Sequence, residues 1–482
     1  MRRAWAVAAL LAAPLLLVDV PPLLDYPNHL ARLFLLAHGA ADRVLAPMFA
    51  LQWAIIPNLA IDLLGPPLIR MLPIHVAGRL LVALALLLPF AGAIAYSRAV
   101  FGRPNPWSLA AALVAFNAGF LLGFLNFQLG IGAALLLAAG WIANRERHPR
   151  ATVALASIGI VAIFFCHLMG VLFALILIGA HELSRAWQDR AFLPRALALL
   201  PLAAIAAALY GASALGTHAA EIEYLSPAAK LAQLMWPFTT YSLPLDLLTA
   251  AAIAAILVTR RSHAPRSTLI ALALLAALYA AAPYAFKGTQ SLDTRFTLML
   301  ALLLFAGLAP AVSRPVAAGL AMLIVARTGL IAVAWHGHAT TIAELRLTLS
   351  DLQPGDRLVI AAVSPAEAPG WWASEAPLAL RLSNGIRTDP HLPALALIER
   401  RAFWPFLFDD PSQQPVGWTP HYQSLADTAG DLIDHLSLKP AQLCGYTHLL
   451  LLDAAADPDW RPPGLPLLRA TPTAALYAIA PC

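Results

Sequence analysis

The chain has 482 residues, of which 60% are hydrophobic and only 12% charged, with a formal net charge of +5. Soluble domains carry about 25% charged residues, so no polar shell can cover this chain and an integral membrane protein is implied. The basic excess is almost all Arg, with Lys only at 230, 287 and 439, and falls in short clusters between apolar runs. That pattern marks membrane topology and excludes a surface that tracks nucleic-acid phosphates.

A spanning helix needs about 20 apolar residues. The first run, "MRRAWAVAALLAAPLLLVDVPP", has the Arg pair and apolar stretch of a signal peptide but no clear A-x-A site, and reads as an uncleaved span over 4–24. The polar run "DYPNHLAR" follows directly, over 25–32. A helix over 27–40 tolerates Pro27 in its first turn and sets Asp25, His29 and Arg32 at i, i+4 and i+7, on one face. Such a face suits a hydroxyl and a phosphate. The same residues also suit an N-cap, Asp25, followed by two interfacial anchors.

Further spans read over 76–97, 107–122, 124–143, 196–214, 244–259, 267–285, 294–310 and 315–335. The stretch 152–180 is too long for one upright helix. Arg145, Arg147 and Arg150 precede it and Arg185, Arg190 and Arg195 follow, so both flanks belong on the cytoplasmic side. It reads as a helical hairpin with its tip near His167, for about eleven spans in all. With the N-terminus inside, every short inner loop carries Arg. The outer segments are then 25–75, the tips near Gly123 and His167, 213–243, 286–293, and everything beyond about 336.

Past His336, charges, Pro and Trp become frequent. "ATTIAELRLTLSDL" (339–352) reads as an amphipathic helix, and "GDRLVIAAV" (355–363) and "THLLLLDAA" (447–455) as buried strands. The expected organisation is a transmembrane domain over 1–336 and an extracytoplasmic α/β domain over 337–482. In that compartment Cys444 and Cys482 can pair, while two unpaired thiols fit the sequence equally well.

Ionisable groups within spans are costly and mark function. Here Asp19, Arg79, His167 and Arg295 beside Asp293 sit at the outer ends, and Arg327 lies well inside the last span, about eight residues from its outer end. "EIEY" adds Glu221 and Glu223, which suit a divalent metal or plain solvation, and "KGTQSLDTRF" adds Lys287, a second cation for a phosphate or a lipid headgroup. His167 reads as a structural hydrogen-bonder or a base. Asn117, Gly119, Gly123, Asn126 and Gly130 suit close helix packing. Nucleotide and hydrolase motifs are absent.

This layout resembles the GT-C superfamily of membrane glycosyltransferases, which includes the protein mannosyltransferases and aminoarabinose transferases. The shared features are an acid at the outer end of span one, a long first outer loop, Arg-flanked spans and an outer C-terminal domain. The resemblance implies a polyprenyl-phosphate-linked sugar as donor, a glycan, lipid or protein acceptor, and residence in a bacterial cytoplasmic (inner) membrane. It carries Asp25 onto the position of the catalytic carboxylate, base or metal ligand, with Asp19 as second candidate and His29 as helper. It sets Arg32, His167, Lys287, Arg295 and Arg327 toward the lipid phosphate. Many members have adjacent acids in the first loop. Asp25 is followed by Tyr26, which leaves a divalent metal ion open. An envelope lipid transporter or flippase, and an inactive membrane scaffold, are the alternative readings.

Overall fold

The computed structural model describes residues 2–217, 222–287, 289–363, 380–430 and 432–481. Among these, six helices are long and apolar enough to cross a membrane: Ile74–Phe101, Leu125–Asn144, Pro149–Cys166, Leu168–Asp189, Phe192–Ala212 and a helix beginning at Arg314. Their outer faces carry Leu193, Leu197, Leu200, Leu155 and Met322 with roughly half or more of each side chain exposed. Apolar residues in such numbers on the outside are incompatible with water and compatible with lipid. The molecule is a polytopic helical membrane protein.

Several expected spans differ in detail. The run over 4–24 forms a helix only over Arg2–Ala12, then one 3-10 turn over Ala13–Leu16, because Pro14 and the Pro21–Pro22 pair prevent a longer ladder. Arg79 donates to the freed carbonyls of Leu15 (3.3 Å) and Val18 (3.2 Å). The run over 107–122 is a 3-10 helix, Pro106–Val114, and a short helix, Ala118–Leu121. Asn117 separates them, its side chain accepting from the Phe120 N–H at 3.0 Å. Leu243–Thr259, Arg266–Ala281 and Leu292–Gly307 have 17, 16 and 16 residues, short for an upright crossing.

The stretch at 152–180 is two helices, Pro149–Cys166 and Leu168–Asp189, broken at His167, whose backbone is extended. Gly130 and Gly170 let this hairpin lie against Leu125–Asn144. A Cβ on Gly170 would stand 2.7 Å from the Gly130 carbonyl carbon. The Arg-rich flanks are not simply solvated. Arg195 bonds Glu182 at 2.9 Å and Glu146 at 3.0 Å, and Trp141 donates to Glu182 at 2.7 Å.

The two strands read from sequence are Leu358–Ala362 and His448–Leu452, and they pair in parallel. Leu358–Ala362 also pairs in parallel with Ile433–Asp434. Leu467–Ala470 and Ala474–Ala478 extend the sheet antiparallel on the other side. Leu358–Ala362 is fully buried, as a continuous apolar strand in a covered sheet should be.

The helix expected over 339–352 is not separate. One helix runs from Arg314 to Thr348, through the 336/337 boundary, because nothing between them breaks it. Its end is tied to the sheet: Thr473 donates to Glu344 at 2.5 Å, and the Thr348 hydroxyl lies 3.0 Å from that of Thr471. The first loop is tied to the same region through antiparallel pairing of Phe49–Leu51 with Val416–Trp418. Cys444 is disulfide-bonded, Cys166 is free, and Cys482 lies outside the described residues.

Candidate active site

"DYPNHLAR" forms the start of a helix, Tyr26–His38, with Pro27 in its first turn. Asp25 occupies the N-cap position, but its carboxylate makes no capping bond. Its backbone N–H donates instead to the Leu122 carbonyl at 3.1 Å. Gly123 makes this approach possible. It has φ +87°, and a Cβ there would stand 2.9 Å from both the Asp25 Cβ and the Asp25 nitrogen. The carboxylate is therefore fixed by backbone contacts and left open toward a cavity of 640 Å³.

Five of the residues singled out in the sequence line that cavity: Asp25, His29, His167, Lys287 and Arg295. They come from three distant segments, around 25–29, 167 and 287–295, so their meeting is a product of the fold. The His167 Nδ1 accepts from the Met169 N–H at 3.0 Å, which puts the proton of a neutral ring on Nε2. Its ring meets Phe127 edge-on at 5.4 Å, and the Arg295 guanidinium lies 5.1 Å from Phe124 and 5.9 Å from Phe127. Arg295 donates through Nη1 to the Gln290 carbonyl at 3.1 Å, while its buried Nε has no hydrogen-bond partner among the described residues. Lys287, at φ +50°, reaches the Leu215 carbonyl at 3.3 Å and lies 5.8 Å from the Tyr210 ring. His29 is buried against Phe408, 5.9 Å between rings. Burial, reinforced by Arg32, holds its imidazole well below the ordinary histidine range, so it is neutral.

The other candidates lie elsewhere. Arg32 is fully buried and bonded to Asp62 (Nε–Oδ1 2.7 Å), so its charge is already matched. Arg327 bonds Asp246 at 3.0 Å and the Phe238 carbonyl at 2.7 Å. Thr240 and Ser383 satisfy the rest of that carboxylate. Asp19 pairs with Arg346 at 2.6 Å, away from the cavity. Glu223 is exposed in a two-residue strand, and Glu221 lies outside the described residues. Among the described residues no group of three His, Cys, Asp or Glu side chains could hold a metal ion. The donor set does not fit the divalent metal that the resemblance leaves open.

The remaining wall was missed in the sequence. Residues 407–410, 413 and 414 line the cavity, including the adjacent acids Asp409 and Asp410 of "FLFDDPSQQP". These two acids lie about 380 residues after Asp25 in sequence and reach the same cavity. Asn28 anchors this strip. Its amide donates to the Phe406 carbonyl at 2.6 Å and accepts from the Phe408 N–H at 3.1 Å. A polar, doubly bonded Asn beside Asp25 was legible as polar, but its partner was not. Asn126 works the same way on the first loop, bonding the Asn58 carbonyl (2.5 Å) and the Ile61 N–H (3.0 Å).

The class defined here is a polytopic helical membrane protein with one cavity lined by three acids, two imidazoles and two cations. No family model and no curated protein matches the sequence. Two solved structures match the fold, both of ArnT from Cupriavidus metallidurans. The one bound to undecaprenyl phosphate has TM-score 0.54 and 12% identity, over 98% of this chain and 97% of that one. The apo structure has TM-score 0.53 and 13% identity over the same shares. The chain therefore has the ArnT fold, in agreement with the GT-C layout read from the sequence.

Proposed function

We propose that this protein transfers a sugar from a polyprenyl-phosphate lipid to an envelope acceptor on the outer face of the bacterial cytoplasmic membrane. The observation that carries the proposal is the meeting of Asp25 with His167, Lys287 and Arg295 around one cavity, in a fold shared with a protein bound to undecaprenyl phosphate. In this reading Asp25 takes the proton of an acceptor hydroxyl as its oxygen attacks the anomeric carbon. The bond from that carbon to the phosphate oxygen breaks, and its electron pair stays on the lipid phosphate. Arg295, Lys287 and the His167 Nε2–H offset that charge where water is scarce. Asp409, Asp410 and the Gln413–Gln414 pair face the sugar or the acceptor.

The proposal includes about eleven crossings, some made by short or broken helices, with the N-terminus inside and 337–482 outside. The disulfide at Cys444 supports the outer placement, since such bonds persist in oxidising compartments. The test is a deletion strain carrying Asp25→Asn, with envelope glycans compared against the wild-type gene. The variant is expected to leave the missing glycans missing at normal protein levels. If it restores every one, Asp25 is not the base.

A further inference from the structure

Behind the cavity wall lies a second hollow of 400 Å³. Residues 407–409 line both spaces and form the partition between them. Asp25 faces the first space and His391 the second, yet the His391 Nδ1 stands 3.5 Å from the Asp25 Oδ1. This contact joins the first loop to the C-terminal region, 366 residues apart in sequence. Nδ1 is buried and has no hydrogen-bond partner among the described residues, so none of them competes with Asp25 for it. The ring is held edge-on by Trp404 at 5.9 Å and Phe408 at 5.3 Å. At 3.5 Å the pair is longer than a hydrogen bond, as acid–base contacts often are before substrate closes the site.

We infer that His391 is a positioning residue for Asp25, one that orients the carboxylate and couples its basicity to the pH of the outer compartment through the second hollow. The inference rests on the glycosyl-transfer reading. Neutral His391 presents Nδ1–H to the carboxylate and fixes which oxygen faces the acceptor. Once protonated, the ring is a full cation beside Asp25 and stabilises its charged form, which makes it a poorer proton acceptor. Transfer therefore declines as the outer medium becomes acidic. The other titratable groups near His391 are His29 on the first-loop helix, Asp409 on the partition, and Asp427, which lines the second hollow from the helix Pro420–Ala429. His29 is buried neutral and Asp427 is bonded by Gln423 at 2.9 Å, so neither replaces His391 beside Asp25, and Arg295, whose charge also acts on Asp25, does not change charge over this range.

The test uses the full chain in the deletion strain, with cells held in media buffered from about pH 5 to 8, where histidine changes charge. Glycan formed per unit of protein is the readout. His391→Gln keeps an N–H donor but cannot titrate, so it should work near the wild-type rate at the alkaline end and lose the acid decline. His391→Ala should fall about tenfold or more at every pH, through loss of orientation. A His391→Gln variant that keeps the acid decline overturns the inference, as does a His391→Ala variant equal to wild type. A separate measurement does not depend on transfer. In the detergent-solubilised, ¹⁵N-histidine-labelled protein, Asp25→Asn should weaken proton binding at His391. An unchanged titration midpoint overturns the inference even where transfer stands. If the deletion strain loses no glycan, the transfer reading fails, and the midpoint alone decides whether the two residues are coupled.

Discussion

Arg295 and Arg327 make an instructive pair. Both are buried arginines on apolar helices, and in the sequence they are equivalent candidates for holding a phosphate. Around Arg327 the fold supplies a carboxylate, a threonine hydroxyl and two carbonyls, so its donors are engaged within the protein. Around Arg295 it supplies one carbonyl, two aromatic faces and an open cavity. The difference is where the nearest carboxylate lies. A buried guanidinium with its counter-ion in contact is part of the scaffold, and one facing a cavity is available to a ligand.

Breaking the scaffold member should cost most. Arg327→Ala leaves Asp246 buried and unpaired, for an expected loss of about 3–5 kcal/mol. Folded yield and thermal midpoint in detergent would show it, and a normal yield would dissolve the distinction. Arg295→Gln should do the reverse, keeping yield while lowering transfer about a hundredfold, the scale of one lost charge-stabilising donor. Asn28→Ala removes both bonds that hold the Phe406–Phe408 strip, at about 1–3 kcal/mol, and should lower stability and transfer together.

A smaller effect comes from His29. Its folded proton affinity lies below its unfolded one, so below about pH 6.5 the unfolded state binds more protons and stability falls. The slope is about 1 kcal/mol per pH unit, and His29→Gln should flatten it in a melting series. Asp19→Asn should matter least, at about 0–1 kcal/mol, because its pairing with Arg346 is nearly half exposed. A large loss there would mean that the outer end of the first helix does more than the cavity geometry assigns to it.

Much of the fold was legible because bilayer physics is blunt. Apolar runs, Arg flanks, the break at His167 and the two buried strands follow from composition and period alone. Where helices shortened, at Pro14 or Asn117, the breaker was visible but its force against a long apolar run was not. For the site, the polar residues at or near helix ends were legible as a set. Their division into scaffold and cavity was not, because it depends on Asp62, Asp246 and Arg346 arriving from remote segments. The wall at 407–414 was illegible for the same reason, since only the Asn28 clamp brings it beside Asp25.

The helix from Arg314 to Thr348 has 35 residues, hence a length of about 52 Å. A bilayer's hydrocarbon layer is about 30 Å thick, so about 20 Å of this rod must stand clear of it at modest tilt. With its tip bonded to the sheet through Thr348 and Glu344, the rod acts as a ruler between lipid and sheet. The height of the sheet above the lipid is thereby set by the length of one helix.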